Sequence, residues 1–178
     1  MNCLEIIEKY YTPKTPLYNI LISHSVSVKN KALRLAHQSG VDVDIEFVGE
    51  AAMIHDIGIF QTNAPTIHCY GTHDYIEHGY LGAAIMLKEG FPRHAMVCER
   101  HTGTGIALKE IVTRKLPLPH REMSPITLEE QLVCYADLFF SKTKLEEELK
   151  LPTIRYKVGL WGEDSLCQLD KWIEMFGY

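Results

Sequence analysis

His55 and Asp56 stand side by side at the end of an apolar run, Ala51-Ala52-Met53-Ile54, and are followed at once by Ile57-Gly58. Adjacent residues inside a helix point about 100° apart, so an imidazole and a carboxylate reach one centre most easily where the helix stops. A lone His-Asp pair is common. This one gains weight from His24 upstream and from His78, His101 and Asp137 downstream, each set in a helix-like segment. Imidazole plus carboxylate without thiolate suits iron or manganese, with cobalt, nickel and zinc as further candidates, and disfavours a structural zinc site. Taken singly, an inward histidine such as His24 is more often a hydrogen-bonded core residue than a ligand. Asp137 lies in an otherwise apolar stretch and must be paired, hydrogen-bonded or metal-bound. Together the six read as a buried metal centre.

Groups that could receive an anion lie nearby in sequence. In Arg100-His101-Thr102-Gly103-Thr104-Gly105 the glycines let backbone N–H groups turn toward an anion and the threonines add hydroxyls. A simple helix-ending turn is the competing account. Lys142 follows Asp137 by five residues. Arg100, Thr102, Thr104 and Lys142 are therefore the candidates for holding a substrate phosphate. Arg100 and Lys142 could equally be surface charges paired with acids. His68 and His73 fall in a loop over about 61–74, where plain exposure competes with a role in recognition. Cys98 has a ligand-like spacing to His101, but a small buried thiol is its more ordinary role.

The elements that must position these groups are helical. A short amphipathic helix near 3–11 precedes a long one from about Leu17 to Ser39, whose Leu21, Val28, Ala32, Leu35 and Ala36 recur at helical spacing, with Gly40 as the stop. His24 points inward with that face. Asp42 or Asp44 caps the next helix, which ends at His55-Asp56. A helix from near Tyr75 to Lys88 carries His78 near its start and Gly82 one turn later. Glycine inside a helix costs roughly 1 kcal/mol against alanine and suggests the close approach of another backbone or a ligand. A shorter helix from Pro92 ends at His101. A capping box, Thr127-Leu128-Glu129-Glu130, opens the helix that carries Asp137. Residues 144–150 resemble a solvated helical face, interrupted by Pro152. A final helix over about 164–177 presents Leu166, Leu169, Trp172, Ile173 and Phe176 for packing on the bundle, or for a partner. The expected fold is all-α, one domain over residues 1–178.

The formal net charge of −5 argues against non-specific nucleic-acid binding, which needs a basic face. No run approaches the roughly eighteen apolar residues of a membrane span, and the acidic amphipathic N-terminus lacks the pattern of a signal peptide. Five widely spaced cysteines without a Cys-x-x-Cys read as reduced thiols, hence a cytoplasmic protein.

The ordered set His24, His55-Asp56-Ile57-Gly58, His78-x-x-x-Gly82, His101 and Ala136-Asp137 resembles the HD-domain superfamily of metal-dependent phosphohydrolases, over about residues 18–142. The stretches Arg100–Gly105, Leu128–Gln131 and Tyr135–Asp137 look most like small stand-alone HDIG proteins, and less closely like HD-type diadenosine tetraphosphate hydrolases. The chain departs from the HD-GYP cyclic-dinucleotide phosphodiesterases, since His101 has no adjacent histidine and Gly105 is followed by Ile106-Ala107. It also lacks the extra segments of deoxynucleotide triphosphohydrolases. The resemblance implies that His24, His55, Asp56 and Asp137 hold one metal, that His78 and His101 add a second, and that Asp56 bridges the two. Asp56, His78 and His101 would then be the catalytic set, acting on a nucleotide or similar small phosphorylated molecule. Two other outcomes are compatible with such a family: a di-iron oxygenase with the same six ligands, and a non-catalytic nucleotide-binding module. The resemblance leaves oligomeric state undecided, a homodimer included.

Overall fold

The computed structural model describes residues 1–145 and 147–178. Among them the architecture is all-α, with one two-residue-per-strand hairpin. The helices are α1 (Cys3–Glu8), α2 (Pro16–Ser39), α3 (Ile45–Ile54), α4 (His78–Lys88), α5 (Pro92–Arg100), α6 (Leu108–Arg114), α7 (Leu128–Asp137), α8 (Leu151–Gly159) and α9 (Glu163–Phe176). The strands β1 (Asn63–Ala64) and β2 (Cys69–Tyr70) pair antiparallel between α3 and α4.

Local chemistry sets the boundaries. The Thr15 side chain accepts the Tyr18 N–H at the start of α2, Pro16 needs no donor there, and Gly40 ends the helix at φ 68°. Of the two candidate caps for α3, Asp44 serves, accepting the Phe47 N–H at 3.0 Å. Along α2 the buried residues Leu21, His24, Ser25, Val28, Lys31, Ala32, Leu35 and Ala36 keep the spacing of one face. That face carries His24 into the interior beside α3 and α7.

Two apolar clusters hold the bundle. One joins α2, α3, α7, α8 and α9 around Tyr135, Trp172 and Phe176. The other joins α1, the first turns of α2, the end of α3, α4 and α5 around Ile7, Leu21, Ile54, Ile57 and Met86. Between α3 and α4 the backbones nearly touch. A Cβ on Gly58 would meet the His78 carbonyl at 2.2 Å and the Gly82 nitrogen at 2.4 Å. The backbone approach that Gly82 suggested is therefore that of Gly58, and it draws the His55-Asp56 turn against the start of α4.

Three local expectations change. The Thr127 side chain accepts the Glu130 N–H, but the Glu130 carboxylate binds the Ile126 N–H at 2.7 Å and Arg100, so only half of a capping box forms. The described residues of 144–150 are not helical; Glu146 lies outside the described residues. Pro152 opens a helix rather than interrupting one, because the first turn of α8 asks nothing of its missing N–H. No described helix is long and apolar enough to cross a membrane.

Candidate metal centre

Each of the six residues comes from a helix end or a buried helix face. His24 projects from α2, His55 and Asp56 from the turn after α3, His78 from the first residue of α4, His101 from the residue after α5, and Asp137 from the last residue of α7. The structure brings all six together. His24, His55, Asp56, His78 and His101 are at most 4% exposed.

Three of the histidines are oriented by the same device. Nδ1 of His55 lies 2.7 Å from the Ala52 carbonyl, Nδ1 of His78 lies 2.6 Å from that of Tyr75, and Nδ1 of His101 lies 2.8 Å from that of Cys98. A carbonyl oxygen only accepts, so each Nδ1 carries a proton and each Nε2 is turned inward. The acceptor is always three residues earlier, which a histidine at a helix end can reach.

Asp56 divides the inward nitrogens. Its Oδ2 lies 3.2 Å from Nε2 of both His24 and His55, and its Oδ1 lies 3.4 Å from Nε2 of both His78 and His101. Asp137 Oδ1 adds to the first group, 2.9 Å from His24 and 3.5 Å from His55. In the second group the Nε2 atoms of His78 and His101 are 3.0 Å apart. Two lone pairs at that distance repel unless a proton or a metal cation lies between them.

Nδ1 of His24 is buried without a hydrogen-bond partner, while Nε2 of His24, Nε2 of His55 and the oxygens of Asp56 meet one another, Asp137 and Lys142 in close ion-pair contacts. Buried donors and acceptors crowded this closely cost free energy in a folded protein, and a cation accepting their lone pairs would lower that cost. The donor set, imidazole and carboxylate oxygen, fits a divalent transition metal.

The charges are strongly coupled. Burial opposes ionisation of Asp56, yet Lys142 and His55 hold its carboxyl well below the usual carboxylate range. Asp137 is likewise held low against its burial, first by Lys142 and then by His24. Burial also works against a charged His55, but Asp56 and Asp137 push it up to about 10. Burial and then the neighbouring His101 push His78 down to about 3. The first group of nitrogens thus sits between two carboxylates, whereas the second has a single carboxylate oxygen.

The proposed phosphate-holding residues scatter. Lys142 joins the centre, its Nζ 2.6 Å from Asp56 Oδ2. It also lines a cleft of about 330 Å³ shared with Thr66, Ile67, Tyr75, Phe140 and Thr143, and a wider one of about 640 Å³ shared with Ile20 and Lys144. Arg100 is taken by Glu130, with Nη1 3.0 Å from both carboxylate oxygens. Thr102 packs at the start of α4, where a Cβ on Gly79 would come within 3.4 Å of its hydroxyl. Thr104 lines a separate groove of about 420 Å³ between α6 and the α8–α9 turn, beside Arg114 and Trp161. His68 is exposed, and His73 turns to Glu77 at 3.1 Å.

Sequence reasoning missed two tyrosines. Tyr75 stacks on His78 with ring centroids 4.7 Å apart, and its own carbonyl orients that histidine. Tyr11 donates from its hydroxyl to the Ile57 carbonyl at 2.8 Å, pinning the turn that carries His55-Asp56. The carbonyl role was inferable from three histidines at helix ends. The tyrosine contacts were not, since they join distant segments.

Comparison with known proteins identifies a family. The HD domain family matches residues 21–140. An uncharacterized protein of Methanocaldococcus jannaschii is 36% identical over 144 residues, which is 78% of each chain. A tRNA (cytidine(56)-2'-O)-methyltransferase of Thermoplasma volcanium is 34% identical over 80% of this chain, and one of Picrophilus torridus is 33% identical over 71%. The chain spans only 37% and 33% of those two longer proteins. No solved structure matches.

Proposed function

This chain belongs to the HD-domain family, and on that premise we propose that it is a metal-dependent phosphohydrolase of a small phosphorylated metabolite, with nucleotides as the leading class. One observation carries the reading: the two oxygens of Asp56 face two separate pairs of inward imidazole nitrogens. His24, His55, Asp56 and Asp137 would hold one metal, and Asp56, His78 and His101 a second, with iron or manganese the leading candidates. When bound, such metals polarise phosphoryl oxygens and acidify water.

The chain's own groups supply the rest. Lys142 reaches the cluster from the wall of the cleft, so its ammonium can pair with a phosphoryl oxygen of a substrate lying there. The Nδ1–H bonds to three carbonyls fix the imidazoles before any substrate arrives, and such preorganisation lowers the reorganisation a reaction must undergo. Tyr75, Ile67 and Phe140 give the cleft apolar walls, while Thr66 and Thr143 offer hydroxyls for orientation. The methyltransferase names belong to chains about three times as long as the stretch aligned here, and methyl transfer is not part of this proposal.

The test is phosphate release from a panel of nucleotides, dinucleoside polyphosphates and sugar phosphates, using manganese- and iron-loaded protein. The expected result is turnover of at least one class, lost to background in Asp56→Ala at retained helical content. Oxygen consumption by the iron form without phosphate release would transfer the assignment to oxidation at the same six residues. Binding of nucleotides without turnover under any metal would make the chain a binding module.

A further inference from the structure

Two buried thiols sit where the ligand-bearing helix ends meet. Cys134, on α7 three residues before Asp137, places its sulfur 3.1 Å from the His101 carbonyl and 3.2 Å from that of Gly103. The Arg100 carbonyl is 3.8 Å away. These carbonyls follow the end of α5, where the last turn of a helix leaves its C=O groups without intrahelical donors. Among the described residues the backbone bonds of this turn include the Gly105 N–H to the Thr102 carbonyl, and none to those of Arg100, His101 or Gly103. The thiol of the helix that carries Asp137 is thus the donor for the turn that carries His101.

Cys98, on α5, makes a similar contact one helix further on, to a carbonyl that also accepts the Ile57 N–H at 2.9 Å. Its sulfur lies 3.5 Å from the carbonyl of Ile54, the last residue of α3 before His55-Asp56. Its own carbonyl accepts from Nδ1 of His101. Both cysteines are fully buried. A thiol near its ordinary pKa of about 8.5 is protonated at neutral pH and able to donate.

We propose that Cys98 and Cys134 are positioning residues for the metal centre, with each S–H tying one ligand-bearing helix end to the next: α7 to the His101 turn through Cys134, and α5 to the His55-Asp56 turn through Cys98. The proposal rests on the metal reading above. An S–H···O bond is weak, and its value here is geometric. A shift of the α5 end moves His101 relative to His78 and Asp56, and ligands outside the tolerance of the metal bind it poorly. The competing account, two thiols as small apolar filler, predicts that only volume matters.

Serine keeps a donor at either site, whereas valine and alanine remove it. The experiment is Co²⁺ titration with chelator competition on wild type, Cys134→Val, Cys134→Ala and Cys134→Ser, read by affinity and by the visible spectrum of bound cobalt. Folded content is checked by circular dichroism. Hydrogen exchange at the 102–106 amides is measured on the metal-free proteins. We expect Val and Ala to weaken cobalt binding about tenfold or more, to alter the spectrum and to speed exchange in the turn, with Ser close to wild type in all three. Cys98→Ala and Cys98→Ser should differ in the same sense. Affinity, spectrum and exchange unchanged in both Cys134→Val and Cys134→Ala would overturn the proposal, as would equal losses in Ser and Val. Wild-type protein that binds no cobalt would sink the metal reading itself, and the exchange data would then show whether the thiol orders the turn.

Discussion

Tyr135 and Asp137 are two residues apart on α7, yet they face opposite kinds of interior. The Tyr135 ring packs against Trp172 and Phe176 at centroid distances of 5.9 and 6.0 Å, and its hydroxyl donates to the Gly177 carbonyl at 2.8 Å. Trp172 donates from Nε1 to Gln131 at 3.0 Å. In that region apolar surface is buried and each polar tip has a partner. Asp137 faces His24 and His55, where buried imidazoles and carboxylates are crowded together around Asp56 and Lys142. The first region stabilises by burial; the second gathers ionisable groups that could hold a cation. One helix joins them, with the aromatic contacts on one face and the polar cluster on another.

The comparison can be broken most strongly at its aromatic end. Trp172→Ala should cost about 3–5 kcal/mol in denaturant unfolding, the range for a fully buried large side chain. Its metal content per folded molecule should stay unchanged. Loss of metal in proportion would mean that the two regions are not separable.

At the polar end the larger effect should come from the ligand itself. Manganese at about a hundred times its dissociation constant should stabilise wild type by about 2.7 kcal/mol and Asp56→Ala not at all. Thermal unfolding with and without metal reads both. A variant stabilised as much as wild type would show that Asp56 is not a ligand.

Gly58→Ala sharpens the boundary between the regions. Its methyl would drive into the His78 carbonyl and the Gly82 nitrogen, both backbone atoms that cannot step aside. We expect a loss of about 1–3 kcal/mol together with a fall from about two metals toward one. His78→Ala should lower the stoichiometry alike with a smaller loss of stability. Equal stoichiometry in both variants and wild type would remove His78 from the ligand set.

The smallest effect lies outside both regions. His94 packs against Phe47 with centroids 4.8 Å apart, and its Nε2 lies 3.4 Å from Glu50. Burial lowers its pKa, and the N-terminal amine and Arg93 add to this, while Glu50 opposes it. The unfolded chain then binds a proton more readily than the fold does. Its contribution to stability is complete above the ordinary histidine pKa of about 6.5 and declines as pH falls below it. Melting curves from pH 7.5 to 5.5 should fall more steeply for wild type than for His94→Gln.

Much of the centre was legible because its residue types are poor core residues. A histidine at each of three helix ends and an acid inside an apolar stretch have few ordinary explanations, and Gly82 marked a close backbone approach. What could not be read depends on partners far away in the chain. Arg100 resembled an anion receptor until Glu130, itself assigned to a capping box, turned out to bind it. Thr104 is two residues past Thr102, but the αL turn at Gly103 sends it to another groove. Tyr11 and Cys134 act through backbone carbonyls, which leave no mark in side-chain spacing.

The most direct test of the central claim is metal content by elemental analysis on protein purified without chelator, wild type beside Asp56→Ala. The account predicts about two equivalents of iron or manganese in wild type and close to none in the variant. A wild type that holds no metal even after reconstitution, or an Asp56→Ala protein with full occupancy, would contradict it.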